Sequence, residues 1–204
     1  IEIYLEAKEK SLNPSLSKLY FDKIELDITG KSFICTTNPT NLIYTELIIS
    51  QIPQAKIIYC YRNPLDHIKE IYKKNMFHKH TYSCSIVESA NLCIEVYSLM
   101  KEYQKRFNSK IHFINYDNLV TNTREEINHL LNWLGWSNDD KYITPNLDPT
   151  TTKKRRIFDS QRINKSEISS WKNYRDLLKP AIQLFNNSTK FRILFQQYLE
   201  EINQ

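Results

Sequence analysis

The sequence predicts an α/β fold, a central parallel sheet flanked by helices and followed by a helical C-terminal part. Three observations predict it. Short apolar runs alternate with amphipathic stretches, and their order of strand, helix, strand, helix, helix, strand, helix implies right-handed crossovers. From about Ser166 the pattern turns helical and stays so to the end.

Ser32-Phe-Ile-Cys-Thr36 follows the turn residue Gly30 and reads as a buried strand. Pro39 interrupts it, and Leu42 to Ser50 looks helical. Lys56-Ile-Ile-Tyr-Cys-Tyr61 is a second buried strand, β-branched and aromatic. Pro64 then opens a helix that runs to about Lys74. Ile86 to Phe107 carries Leu92, Val96, Leu99, Met100 and Tyr103 at helical spacing. Lys110 to Asn115 is a third strand. Thr123 to Trp136 holds an amphipathic helix, with Ile127, Leu130, Leu131 and Leu134 on one face and Gly135 to stop it. Ser137 to Asp140 is a polar turn, and Asn146 to Arg156 is a basic loop without periodicity. Pro180 is expected to break the C-terminal helices.

A chain of 204 residues, 41% hydrophobic and 25% charged, has the size and balance of one globular domain spanning 1–204. Its net charge of +5 suits an anionic small molecule, and by itself suits weak nucleic-acid or membrane-surface contact as well. No apolar run reaches the length of a membrane span. The first residues have no secretory pattern and no starting Met, so further sequence is expected upstream. Cys35, Cys60, Cys84 and Cys93 match no metal-ligand spacing. Cys35 and Cys60 lie inside apolar runs and read as reduced core thiols, which implies a cytoplasmic setting. Gly30 and Gly135 are the two glycines, so a nucleotide held by these residues is held by side chains and helix ends rather than by a glycine-rich loop.

The chemistry converges on Ala55-Lys-Ile-Ile-Tyr-Cys-Tyr-Arg62-Asn63-Pro64-Leu65-Asp66. Ligands of parallel sheets bind beyond the carboxyl ends of the strands, and Arg62 is the first residue past such an end. A helix starts at once, so a guanidinium fork stands beside free helix N–H groups, a combination that binds phosphate. Asn63 is placed to cap that helix and Asp66 to bond back as a capping box. The plainer reading is an Arg paired with a carboxylate.

The segment Pro53 to Asp66, with Tyr72 and Phe77 beyond, resembles the 3′-phosphate-binding segment of sulfotransferases, above all of the bacterial tetratricopeptide-linked and tyrosylprotein branch. Thr36-Thr-Asn-Pro39-Thr-Asn41 stands where that branch has Asp-Lys-x-Pro-x-Asn. Asn115-Tyr-Asp117-Asn-Leu119-Val and Leu131 to Gly135 resemble its Tyr-Glu-Asp-Leu and Phe-Leu-Gly elements. Lys165-Ser166-x-x-Ser169-x-Trp171-Lys-x-Tyr174 resembles the segment that closes over the 3′-phosphate. The resemblance covers about Ser32 to Leu178.

It implies a P-loop-NTPase-like three-layer fold and transfer of a sulfuryl group from 3′-phosphoadenosine 5′-phosphosulfate to a hydroxyl or amine acceptor, with adenosine 3′,5′-bisphosphate as product and no metal. Arg62, the residue at position 70, Lys165, Ser166, Arg156 and Trp171 are the implied cofactor contacts. The pattern is also broken. The family's phosphate-binding Ser, eight residues after the Arg, is Glu70 here, where a carboxylate repels phosphate unless it turns outward to Lys74. The usual Lys of the second element is Thr37. The 5′-phosphosulfate loop and the catalytic base of the family lie upstream of these residues, so no catalytic residue is assigned.

Other polar residues read more plainly. Lys153-Lys-Arg-Arg156 is a solvated loop or a further contact to the 3′-phosphate. His67 belongs to the helix after Arg62. His78 and His80 do not share a helix face, so they suggest no metal site. His112 reads as a packed strand residue, and Trp133 and Trp136 as core. Trp171 with Tyr174 is open to two readings, adenine stacking or packing. The functions to separate are thus an active sulfotransferase, a degenerate homologue that binds a nucleotide or a protein partner, and an RNA-binding module, for which no stacking motif is present. The expected partner is a small anionic nucleotide, with no nucleic acid and no membrane span.

Overall fold

The computed structural model describes Ser15 and residues 35–74, 81–142 and 165–203. Among these residues it is mostly helical, with a small parallel two-stranded sheet. Strand β1 is Ile57–Tyr61 and β2 is Ile111–Asn115. The helices are α1 (Thr45–Gln51), α2 (Pro64–Lys74), α3 (Ile86–Arg106), α4 (Tyr116–Thr121), α5 (Thr123–Leu134), α6 (Arg175–Asn187), α7 (Thr189–Leu194) and α8 (Gln196–Asn203). Short 3-10 turns stand between them, including Lys165–Glu167 and Ser170–Tyr174.

The parallel order β1, α2, α3, β2 is the expected crossover. The first expected strand, Ser32–Thr36, lies mostly outside the described residues, and its last two residues, Cys35 and Thr36, are in no strand. β1 also corrects a reading. Tyr59 is buried, while Ile58 and Cys60 on the opposite face are exposed, so among the described residues this strand is covered on one side. An aromatic, β-branched run signals a strand but cannot say how many of its faces are covered. Cys35 is likewise exposed, and the buried thiol is Cys93.

Two compact units divide the chain. The smaller comprises residues up to Ile57 together with Tyr103–Ile111. In it Arg106 makes a bidentate pair with Glu46 of α1, and Lys110 donates to the Pro53 carbonyl. The larger comprises Ile58–Glu102 and His112–Gln204, and it holds the main core.

That core is aromatic. Phe185 and Phe191 stack with ring centroids 3.9 Å apart, Phe195 continues the stack at 4.5 Å, and Tyr97 of α3 tilts onto Phe195 at 4.3 Å. Leu65 and Ile68 of α2, Ala90, Cys93 and Ile94 of α3, and Trp171, Leu178, Ala181, Tyr198 and Ile202 complete it. The inward stripe of α3 is therefore Cys93, Tyr97 and Met100, one position on from Leu92, which is exposed. Pro180 does not break α6 but sits inside it. A proline in the second turn removes one hydrogen bond, and burial of Leu178, Ala181 and Phe185 on one face offsets that loss. Gly135 ends α5 in the left-handed region at φ 79°, where its N–H caps the Asn132 carbonyl.

Candidate functional site

Arg62 stands where the sequence places it, directly after β1 and two residues before α2. Its main chain is fixed by one side chain of α3. The Tyr97 hydroxyl accepts the Arg62 N–H at 3.1 Å and donates to the Arg62 carbonyl at 2.9 Å. Burial, and after it the neighbouring Cys93, raise the Tyr97 pKa well above the phenol value, so the hydroxyl keeps the proton that this double role needs.

Asn63 caps α2 as expected, its Oδ1 accepting the Leu65 N–H at 2.9 Å. The capping box is not formed. The Asn63 N–H donates instead to Asp117 Oδ2 at 2.8 Å, and Asp117 sits in α4, the helix begun by Asn115 at the end of β2. The two strand ends are thereby tied through one carboxylate.

Asp66 faces the other way. Fully buried, it accepts the Ser169 N–H and the Trp171 N–H, both at 2.8 Å, and the Ser170 hydroxyl at 3.1 Å. Arg62 Nη2 lies 3.7 Å from the same carboxylate. Burial pushes the Asp66 carboxyl up against the pull of the Trp171 N–H and Arg62, so desolvation outweighs the donors. The segment Lys165–Tyr174 is in this way strapped across the start of α2. Arg62 Nη2 donates to the Glu167 carbonyl at 3.0 Å, and its guanidinium lies 5.2 Å from the centre of the Tyr116 ring. Its Nε is buried and has no hydrogen-bond partner.

A second cation, which the sequence reading did not single out, lies beside Arg62. Lys69 is 5% exposed, and its Nζ lies 3.0 Å from Glu167 Oε2 and 3.2 Å from Glu70 Oε1 while donating to Ser170 Oγ. Desolvation works against its charge, but the hydrogen bonds and charges of Glu167 and Glu70 prevail and raise its pKa. The Glu167 carboxyl is correspondingly lowered, first by its hydrogen bond to Lys69 and then by that ammonium's charge.

The remaining sequence-based expectations divide. Glu70 turns to Lys69, not to Lys74. Lys165 and Ser166 are exposed, on the first turn of the strap. Arg156, with the rest of Lys153–Arg156, lies outside the described residues, as do Phe77, His78 and His80. Trp171 is corrected. Its ring is completely buried in the aromatic core, with Arg175 over it at 5.7 Å, so it offers no face to an adenine. Tyr174, 46% exposed, does offer one. His112 is half-buried against Trp133 with ring centroids 5.1 Å apart, and burial lowers its pKa, as suits a packed histidine. No metal-ligand cluster occurs among the described residues.

Comparison with known proteins identifies the family. The model of the Sulfotransferase family matches residues 3–140, more than half of the chain. The chain belongs to the sulfotransferase family. An uncharacterized protein of Aquifex aeolicus (strain VF5) is 24% identical over 193 residues, which is 93% of this chain and 25% of that protein. The sulfotransferase chain thus spans about a quarter of the length of the curated relative it matches. No solved structure matches it. The family match contains Arg62, α2, Lys69, Glu70 and Asp117 but ends before the strap, so the strap enters the site on geometry. No helix among the described residues is long and apolar enough to cross a membrane.

Proposed function

We propose that this chain forms the nucleotide-gripping part of a sulfotransferase that takes 3′-phosphoadenosine 5′-phosphosulfate and passes its sulfuryl group to a hydroxyl or amine acceptor. The observation that carries the reading is Arg62, fixed at the carboxyl end of β1 and facing the Lys165–Tyr174 strap. Its orphaned, buried Nε fits the group, because a guanidinium donor out of water is best satisfied by an anion. Bound here, the cofactor would supply the activated sulfuryl group. The chain's own part is to hold the 3′-phosphate through Arg62, with Lys165, Ser166 and, from the basic run, Arg156 adding positive charge and donors. No metal is required, and a small anionic nucleotide rather than a nucleic acid is the ligand. A cytoplasmic setting belongs to the same proposal.

Glu70 and Thr37 favour a second reading, a homologue that keeps nucleotide binding but not transfer, since both replace groups that the resemblance expects at the phosphate. Calorimetric titration with adenosine 3′,5′-bisphosphate tests the first reading. Wild type is expected to bind, and Arg62→Ala to lose about tenfold or more, the usual scale for a charge-assisted contact. Circular dichroism checks that the variant is folded. Unchanged affinity in a folded Arg62→Ala chain overturns the assignment. Binding without transfer by the full-length protein selects the second reading.

A further inference from the structure

Both cations of the site are held by one residue. Glu167 presents its main-chain carbonyl to Arg62 Nη2 at 3.0 Å and its carboxylate to Lys69 Nζ at 3.0 Å. We propose that Lys69 is a second phosphate-binding cation of this site and that Glu167 is its internal placeholder, displaced when a phosphate enters.

Lys69 is 5% exposed, whereas the Glu167 side chain on the other end of the bond is 43% exposed. A buried ammonium needs a counter-charge wherever the chain is folded. A carboxylate that reaches water can leave at low cost, and its ion pair is worth little by itself. The pair is therefore asymmetric, with a fixed cation and an exchangeable anion. Glu167 closes a three-residue 3-10 turn, so its side chain can swing out without unwinding an α-helix. Glu70 and Ser170 stay on Lys69 when it does. The outgoing charge is monovalent and the incoming phosphate is close to divalent at neutral pH, and one of its oxygens would give the buried Nε of Arg62 an acceptor. Lys69 stands next to the position where the resemblance expects a hydroxyl, and it gives Glu70 a partner that removes much of its repulsion for the phosphate. The proposal rests on the nucleotide-binding reading above.

The test titrates adenosine 3′,5′-bisphosphate into wild type, Glu167→Gln, Lys69→Met and the double variant, with thermal denaturation to confirm folding. Glu167→Gln is expected to bind about twofold to fivefold tighter, the range that release of one half-exposed ion pair allows. Lys69→Met is expected to bind more weakly and to abolish the gain from Glu167→Gln in the double variant. A gain that persists without Lys69 overturns the proposal, because the glutamate would then act only through the general field. Binding that depends on Arg62 but is indifferent to both new substitutions overturns it and leaves the function standing. Absence of binding in every chain overturns both.

Discussion

Asp66 Oδ1 accepts the backbone N–H of Trp171 at 2.8 Å, across 105 residues of sequence. With the Ser169 N–H on its other oxygen, this one carboxylate joins the start of α2 to a segment that β-strand pairing never reaches. Removing it should cost more than a surface charge does. Asp66→Ala strands the Ser169 and Trp171 N–H groups and takes a counter-charge from Arg62, while the Ser170 hydroxyl keeps the Glu167 carbonyl. Denaturant unfolding is expected to show a loss of about 3 kcal/mol, in the range for breaking a buried ionic contact. A loss under about 1 kcal/mol would mean that water replaces the carboxylate and that the strap is only loosely docked.

The Lys69–Glu167 pair sets part of the acid sensitivity. The Glu167 carboxyl is lowered in the folded chain by Lys69, so the unfolded chain binds more protons near the ordinary carboxylate pKa of about 4.3. Its contribution is complete above that value and is lost as pH falls through the folded pKa. Glu167→Gln should therefore flatten the acid limb of a stability profile between about pH 5 and pH 3. Superimposable limbs for wild type and variant would refute this.

The four thiols should separate into three and one. Cys35, Cys60 and Cys84 are exposed, whereas Cys93 is buried in the aromatic core, where burial pushes its thiol up to about 12. A maleimide at neutral pH is expected to label three sites on the native chain, and the fourth only after denaturation. Mass spectrometry of the labelled peptides reads the result directly, and modification of Cys93 in the native state would contradict the packing of α3.

Tyr97→Phe isolates the contact that fixes Arg62. The ring still fills its place against Phe195, but the Arg62 N–H and carbonyl both lose a partner. A cost of about 1–3 kcal/mol in stability is expected from two poorly solvated main-chain groups. Affinity for adenosine 3′,5′-bisphosphate is expected to fall as well, since Arg62 no longer starts from a set position. A destabilised chain with unchanged affinity would limit Tyr97 to structure.

Local signals were legible where one short stretch decides the outcome. Apolar spacing marks out α3, Gly135 stops α5, and Asn63 caps α2. The side of α3 that faces the core was not legible. Leu92 and Cys93 are adjacent apolar residues, and only partners far along the chain select the second. Arg62 could be placed because a strand end and a helix start adjoin it. Lys69 could not, because a lysine on a helix normally reads as a solvated face, and the groups that bury it lie 98 and 101 residues away. Trp171 shows the converse. An aromatic beside a phosphate-closing motif looks like a stacking platform until the hydrogen bonds of Asp66 turn its main chain inward.

The hydroxyl of Tyr97 grips Arg62 by the main chain on both sides, while Glu167 is held to the same arginine by a single carbonyl. Ligand capture in such a site resembles a vice with one fixed jaw. Were a phosphate to bind as proposed, the strand end would contribute little ordering cost, and the conformational entropy lost would fall on the strap and on the side chains that it carries. Under the proposed function, sequence change that stiffens the strap would tighten phosphate capture and slow release together, so affinity would be tuned at residues 165–174 rather than at the arginine itself.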